Sequence, residues 1–230
     1  MERVTLFAVV EGQSESGFFK PFLAEHLALR GIDLHVPVIG KGRAKGGMLR
    51  SFVQVCAELG DFLADRRRPW VTTFFDFYGL PTGEGRGWDF VPAAKAKGGV
   101  AAIEDRLRDG VREAAPQLAE RFIPYVQLHE LEALYFAEPD TLASVLETPE
   151  VAEKFAAMAT AAGGCEQIND SPTTAPSKRL QVMCPRYIKG RSSAAHAPRL
   201  GAKLSLAAVR GQCPRFHAWL ESLERLGTTL

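Results

Sequence analysis

Two acidic residues stand where a buried strand would hand them to solvent. Val4-Thr-Leu-Phe-Ala-Val-Val10 is apolar or β-branched throughout and runs into Glu11-Gly12, while Trp70-Val-Thr-Thr-Phe-Phe75 repeats the pattern and ends on Asp76. Continuous runs of this kind read as strands of a parallel sheet covered on both faces. The carboxyl edge of such a sheet is where open α/β proteins bind ligands. If the two strands are neighbours, Glu11 and Asp76 face one crevice. Carboxylates converging at a buried edge must be protonated or compensated. A hard divalent cation, Mg2+ or Mn2+, prefers oxygen ligands and is the usual compensation. For either acid alone, a helix N-cap or a surface ion pair is the competing explanation.

Three further acids are placed to join them. Glu15 falls one helical turn after Glu11, where it would either face the crevice or favour the helix dipole. Glu130 and Glu132 follow a fourth apolar run, Phe122–Leu128. On a strand they would share a face; on a helix they stand roughly 200° apart, so only one would enter the crevice if the helix begins at once. His129 beside them reads as a hydrogen-bonded edge residue or as a general base.

Cationic residues form two groups. Gly40-Lys41-Gly-Arg43-Ala-Lys45-Gly-Gly47 precedes a helical pattern and could cradle a phosphate on backbone N–H groups, or simply be a solvated loop. It lacks the order of a P-loop, and GxGxxG, GxSxG and HExxH are absent from the chain. The second group is Lys178 and Arg179 with Arg186, Lys189, Arg191, Arg199 and Lys203. Residues 171–230 hold 10 Lys and Arg against 2 Asp and Glu, whereas residues 1–170 hold 18 against 25. Such a split fits an acidic site beside a basic docking surface for nucleic acid, or a basic tail docked on its own acidic body.

The elements that must position these residues follow from periodicity. Phe18, Phe19, Phe22, Leu23 and Leu27 mark a helix over about 15–30, with Gly31 as its stop. Ile32–Ile39 alternates as a second strand, and Met48 to Phe62 carries a second apolar stripe before Trp70. This β-α-β-α-β order, with right-handed crossovers, gives an α/β fold with a mainly parallel sheet of about four strands flanked by helices. Residues 79–99 read as a long glycine- and proline-punctuated loop, and 100–114 as a helix. Beyond Glu138 the pattern turns helical: 140–147, then 149–162 with Thr148 as N-cap, a polar segment 169–179, and helices at 198–210 and 214–226. The expected organisation is an α/β core over 1–137 and a basic helical region over 138–230 packed on it.

Composition excludes other classes. The chain is 46% hydrophobic and 24% charged, as expected for a protein with an ordinary core. No apolar stretch approaches the roughly 18 residues of a membrane span, and Met-Glu-Arg leads directly into a strand, so a cytoplasmic protein is expected. Cys56, Cys165, Cys184 and Cys213 lack zinc spacing and read as reduced thiols.

Val10-Glu11-Gly12 at a strand end, with an acidic third-strand tip, resembles the Toprim fold of topoisomerases, primases and OLD-type nucleases. More narrowly, Glu11-Gly-Gln-Ser-Glu15, Phe75-Asp76-Phe-Tyr-Gly-Leu80-Pro81, Gln127-Leu-His-Glu130-Leu-Glu132-Ala-Leu134, Ile168-Asn-Asp-Ser-Pro172 with Ala175-Pro-Ser-Lys-Arg-Leu180, and Cys213-Pro-Arg-Phe216 with Trp219 resemble a bacterial family. That family is domain of unknown function 4276, with a Toprim-like (Rossmann-like) core, often encoded near ATPases in defence gene clusters. The resemblance implies that Glu11 matches the Toprim glutamate and Asp76 the first acid of its Asp-x-Asp. The second acid is Tyr78 here, so Glu130 or Glu132 must complete any metal shell; Glu11, Asp76 and Glu132 are the expected ligands. The expected function is a Mg2+-dependent nuclease on DNA or RNA, part of an anti-phage system, with Lys178 and Arg179 on the phosphate backbone. Two rivals stand beside it: a non-catalytic module binding nucleic acid or a partner ATPase, and a phosphoryl-transfer enzyme acting on small molecules.

Overall fold

In the computed structural model, β1 (Val4–Val10) and β3 (Trp70–Asp76) lie side by side at the centre of one parallel sheet. The described residues are 3–40, 51–82, 85–97, 99–169, 171, 173–190 and 193–228. Helix α1 (Gln13–Ala28) returns the chain to β2 (Ile32–His35), and α2 (Phe52–Leu63) leads to β3. After β3 come α3 (Val91–Ala96), α4 (Val100–Ala114), β4 (Phe122–Ile123) and β5 (Val126–Gln127). The strand order is β2-β1-β3-β4, with β5 also on β3. Among the described residues beyond these, the α-helices are α5 (Pro139–Val145), α6 (Ala152–Ala162), α7 (Pro176–Met183), α8 (Ser193–Lys203), α9 (Leu206–Gln212) and α10 (Pro214–Thr228). This is a mixed α/β fold with a parallel sheet flanked by helices and a helical C-terminal region.

Alternation along the central strands sorts their side chains to two faces. Leu6, Val10 and Phe74 join a core with Phe18, Phe19 and Phe22 of α1 and with residues of the C-terminal helices, among them Leu200, Phe216 and Trp219. Phe7, Val9, Val71 and Phe75 join the opposite core, with Phe52 and Leu59 of α2, Trp88, and Ile103 and Leu107 of α4. Residues from both the first 137 positions and the remainder therefore share the first core. None of the helices among the described residues is long and apolar enough to cross a membrane. All four cysteines are buried free thiols.

Several elements differ from their sequence expectation, each for a local reason. The strand expected over 32–39 stops at His35, and only Val38 returns to bridge Val10; Pro37 has no N–H for the ladder. The fourth strand, expected over 122–128, is split at Pro124 and Tyr125. Its register on β3 is the same on both sides, Val71 against Phe122 and Phe75 against Val126. Across the gap, Thr73 Oγ1 both donates to the Tyr125 carbonyl and accepts from the Tyr125 N–H, each at 2.9 Å.

The loop expected over 79–99 contains α3, which starts with a proline in its first turn. The helix expected over 198–210 is two helices, broken at Ser205, whose side chain caps α9 by accepting from the Ala208 N–H at 3.3 Å. Thr148 caps nothing with its side chain, because its hydroxyl meets the Cys184 thiol at 2.9 Å instead. Helix α7 begins within the polar segment read over 169–179 and runs beyond it to Met183, where no helix was expected. Pro176 at its start was the available signal, since proline is well suited to the first helical position.

Candidate functional site

The parallel register places Val10 opposite Phe74, so Glu11 and Asp76 leave adjacent strands at the same carboxyl edge. They are in contact: the Asp76 backbone N–H donates to Glu11 Oε1 at 2.7 Å. Asp76 Oδ1 accepts from the Leu131 N–H at 2.9 Å, which ties the β3 tip to the segment after β5. Glu130 there is in extended backbone (φ −148°, ψ 158°), and only at Leu131 does a 3-10 helix, Leu131–Ala137, begin. One extended residue followed by the first helical turn turns both acids inward. Glu130 and Glu132 both enter the cluster; the helix does not begin at Glu130, so the condition under which only one acid was expected to enter is not met.

At the centre lies an ammonium group. Lys189 Nζ donates to Glu130 Oε1 at 2.9 Å and Asp76 Oδ2 at 3.1 Å, and stands 3.7 Å from Glu132 Oε2. The remaining oxygens are tied to the scaffold. Ser177, at the start of α7, donates its N–H to Glu130 Oε2 at 2.8 Å and its hydroxyl to Glu130 Oε1 at 3.1 Å. The Tyr187 hydroxyl donates to Glu132 Oε1 at 2.8 Å. Glu15, Asp76, Glu130 and Glu132 are buried and Glu11 is partly so. Glu11, Gly12, Glu15, Asp76, Gly79, Glu132 and Lys189 line a cleft of about 420 Å³.

Burial of so many acids around one cation shows in their protonation. Desolvation, then the neighbouring Asp76 and Glu15 carboxylates, pushes Glu11 well above the usual carboxylate range. Burial pushes Asp76 and Glu132 up to about 7 each, against the opposing pull of Lys189. Glu15 is also raised, chiefly by burial. Desolvation disfavours the charge on Lys189, but Asp76, Glu132 and Glu130 together hold it above the ordinary lysine range. The cluster is an anionic pocket short of positive charge.

The other residues singled out by sequence fall elsewhere. Lys178 is exposed on α7 and Arg179 is half-buried with its Nε–H on the Thr174 carbonyl at 2.7 Å; neither lines the cleft. Lys41, Arg43 and Lys45 lie outside the described residues. Tyr78 donates its N–H to the His129 carbonyl at 2.9 Å, and its carbonyl accepts from Lys95 Nζ at 3.0 Å. His129 occupies a left-handed backbone conformation, φ 68°, at the turn before Glu130.

Sequence reasoning counted Lys189 among surface cations and passed over Ser177 and Tyr187. No spacing could have found them, because Lys189 meets Asp76 across 113 positions and Ser177 meets Glu130 across 47.

Comparison with known proteins places the chain. A family model described as a domain of unknown function, DUF4276, matches residues 10–224. The chain belongs to the DUF4276 family. The matched span takes in every acid of the cluster together with Ser177, Tyr187 and Lys189. No curated protein matches the chain. Among solved structures, the C-terminal region of the Burkholderia pseudomallei OLD protein is similar, at 16% identity over 97% of this chain and 99% of that one, with a TM-score of 0.44.

The donor set bears on the expected metal. Carboxylate oxygens are the ligands Mg2+ and Mn2+ prefer, and the excess of buried acid over base calls for further positive charge. As they stand, however, no three carboxylate, imidazole or thiolate groups among the described residues are grouped to hold a metal ion. The chemistry of the donors fits the ion, while their present arrangement is organised around Lys189.

Proposed function

We propose that this protein is a metal-dependent phosphodiesterase acting on nucleic acid, built on a Toprim-like core. The observation that carries the reading is the contact between Glu11 and Asp76 at neighbouring strand ends, in one cleft with Glu15 and Glu132. Glu11, Asp76 and Glu132 would hold Mg2+ or Mn2+. Bound there, the ion would supply Lewis-acid polarisation of a phosphoryl oxygen and orientation of water. The chain's own groups do the rest. Glu15 lines the cleft at the first turn of α1, placed to accept a proton from a water in it. Ser177 and Tyr187 hold Glu130 and Glu132 through hydrogen bonds and so help to orient the acid cluster. Lys178, exposed beside Ser177, and the basic C-terminal surface would contact the phosphate backbone without reading sequence. A setting in anti-phage defence with a partner ATPase accords with this reading.

The test is cleavage of DNA and RNA panels, tRNA included, with Mg2+ or Mn2+. The wild type should cut at least one class and Asp76→Ala should cut none; equal cutting by the two would remove the proposal. One observation favours a second reading, a non-catalytic module that binds nucleic acid or an ATPase. A lysine already neutralises part of the cluster, and by the Toprim resemblance Tyr78 would stand at the position of the second acid. Salt-dependent nucleic-acid binding unchanged by Glu11→Ala and Asp76→Ala, without turnover, is the result that reading requires.

A further inference from the structure

We infer that Lys189 is a built-in counter-ion, which a divalent cation must displace before it can occupy the acid cluster. The inference rests on the metal reading above and concerns how that site is regulated. Each inner carboxylate has an oxygen committed to the scaffold: Asp76 Oδ1 to the Leu131 N–H, Glu130 Oε2 to the Ser177 N–H and Glu132 Oε1 to the Tyr187 hydroxyl, with the Ser177 hydroxyl also donating to Glu130 Oε1. The other oxygens, Asp76 Oδ2, Glu130 Oε1 and Glu132 Oε2, are the ones around the Lys189 ammonium, at 3.1, 2.9 and 3.7 Å. Asp76 and Glu132 are also two of the three acids assigned to the metal ion. An ammonium and a divalent ion therefore compete for these two shared ligands.

The route of Lys189 to the cluster suits such an exchange. It arrives on the short segment between α7 and α8. That segment is seated at Cys184, against the Thr148 hydroxyl, and at Tyr187, against Glu132. Beyond Tyr187 the chain returns toward solvent: Ile188 is 42% exposed, and the Lys189 side chain is 41% exposed although its tip is among buried acids. Gly190 follows with φ +80°. The four-carbon stem can thus swing its ammonium outward by rotamer changes while Tyr187 stays in place. Exchange replaces one positive charge by two and removes more of the repulsion among the acids. The lysine stabilises the metal-free site and lowers its apparent affinity for the ion.

The experiment is calorimetric titration of Mn2+ into the full chain, for the wild type, Lys189→Met and Lys189→Arg. Lys189→Met should bind Mn2+ at least about tenfold more tightly than the wild type, and Lys189→Arg, which keeps a cation on the tether, should stay close to the wild type. Binding to Lys189→Met alone also supports the exchange. Equal or weaker binding by Lys189→Met, with the wild type still binding, overturns the exchange and leaves the metal reading intact. Absence of binding to all three proteins overturns both.

Leaving the acids without their cation could unfold Lys189→Met. The paired variant Glu130→Gln/Lys189→Met removes one charge of each sign and is titrated alongside, its fold checked by circular dichroism. Tighter Mn2+ binding by the paired variant supports the exchange, and unchanged or weaker binding overturns it.

Discussion

Glu132 is held from two sides, by the Tyr187 hydroxyl at 2.8 Å on one oxygen and by Lys189 at 3.7 Å on the other. Removing the hydroxyl leaves a buried carboxylate short of a donor, which costs roughly 1–2 kcal/mol. Tyr187→Phe should lower the unfolding free energy by that amount, read as a lower urea midpoint at unchanged m-value. The raised acids also set a pH dependence. Asp76 and Glu132 titrate at about 7 in the folded protein, against ordinary values of 3.8 and 4.5. Between about pH 4 and pH 7 the folded state holds protons that the unfolded chain has released, so stability falls as pH rises through that window and levels off above it. Glu11 and Glu15, also raised, act in the same direction. Urea denaturation should give a higher midpoint at pH 5 than at pH 8, and Asp76→Asn should flatten the difference. A midpoint that climbs from pH 5 to pH 8 counts against the charge balance described for the cluster.

Between elements, the packing of α8 on α1 depends on a glycine. A Cβ built on Gly201 would meet the Phe18 carbonyl oxygen of α1 at 2.2 Å, a separation no real contact tolerates. Gly201→Ala must push the two helices apart, at a cost of about 1–3 kcal/mol in overpacking strain. Thermal denaturation should record the loss, whereas Gly211→Ala in α9, where added volume meets nothing within 4 Å, should not lower stability. The elements themselves were largely legible: β1, β3, α1 and α4 stand where apolar periodicity places them. The misreadings gather where one side chain overrides a pattern. Pro124 splits the fourth strand although its hydrophobic run is continuous, and Ser205 divides one helical stripe into α9 and its predecessor.

Across the whole molecule, one residue near the C-terminus couples the last helix to the sheet. The Trp219 indole N–H of α10 donates to Thr72 Oγ1 of β3 at 2.9 Å, and its ring stacks on Tyr125 with centroids 4.7 Å apart. Trp219 is 4% exposed within the core that also contains Phe19 and Phe74. Trp219→Ala should cost about 3–5 kcal/mol, with lost near-UV dichroism and a cooperative transition at lower urea. An unchanged midpoint would mean that α10 contributes little to the core, contrary to its burial.

The sequence alone determined that two apolar strands end in acids and that helices alternate with them, because burial on both faces imposes a composition that can be read residue by residue. It also determined which acids were candidates. Only the tertiary structure decided that both Glu130 and Glu132 turn inward, that Ser177 and Tyr187 grip them, and that Lys189 occupies the middle. The physical reason is range. Strand burial is written in neighbouring residues, whereas the neutralisation of a buried charge is settled by whichever opposite charge the fold brings within about 4 Å, here from a segment more than a hundred positions away.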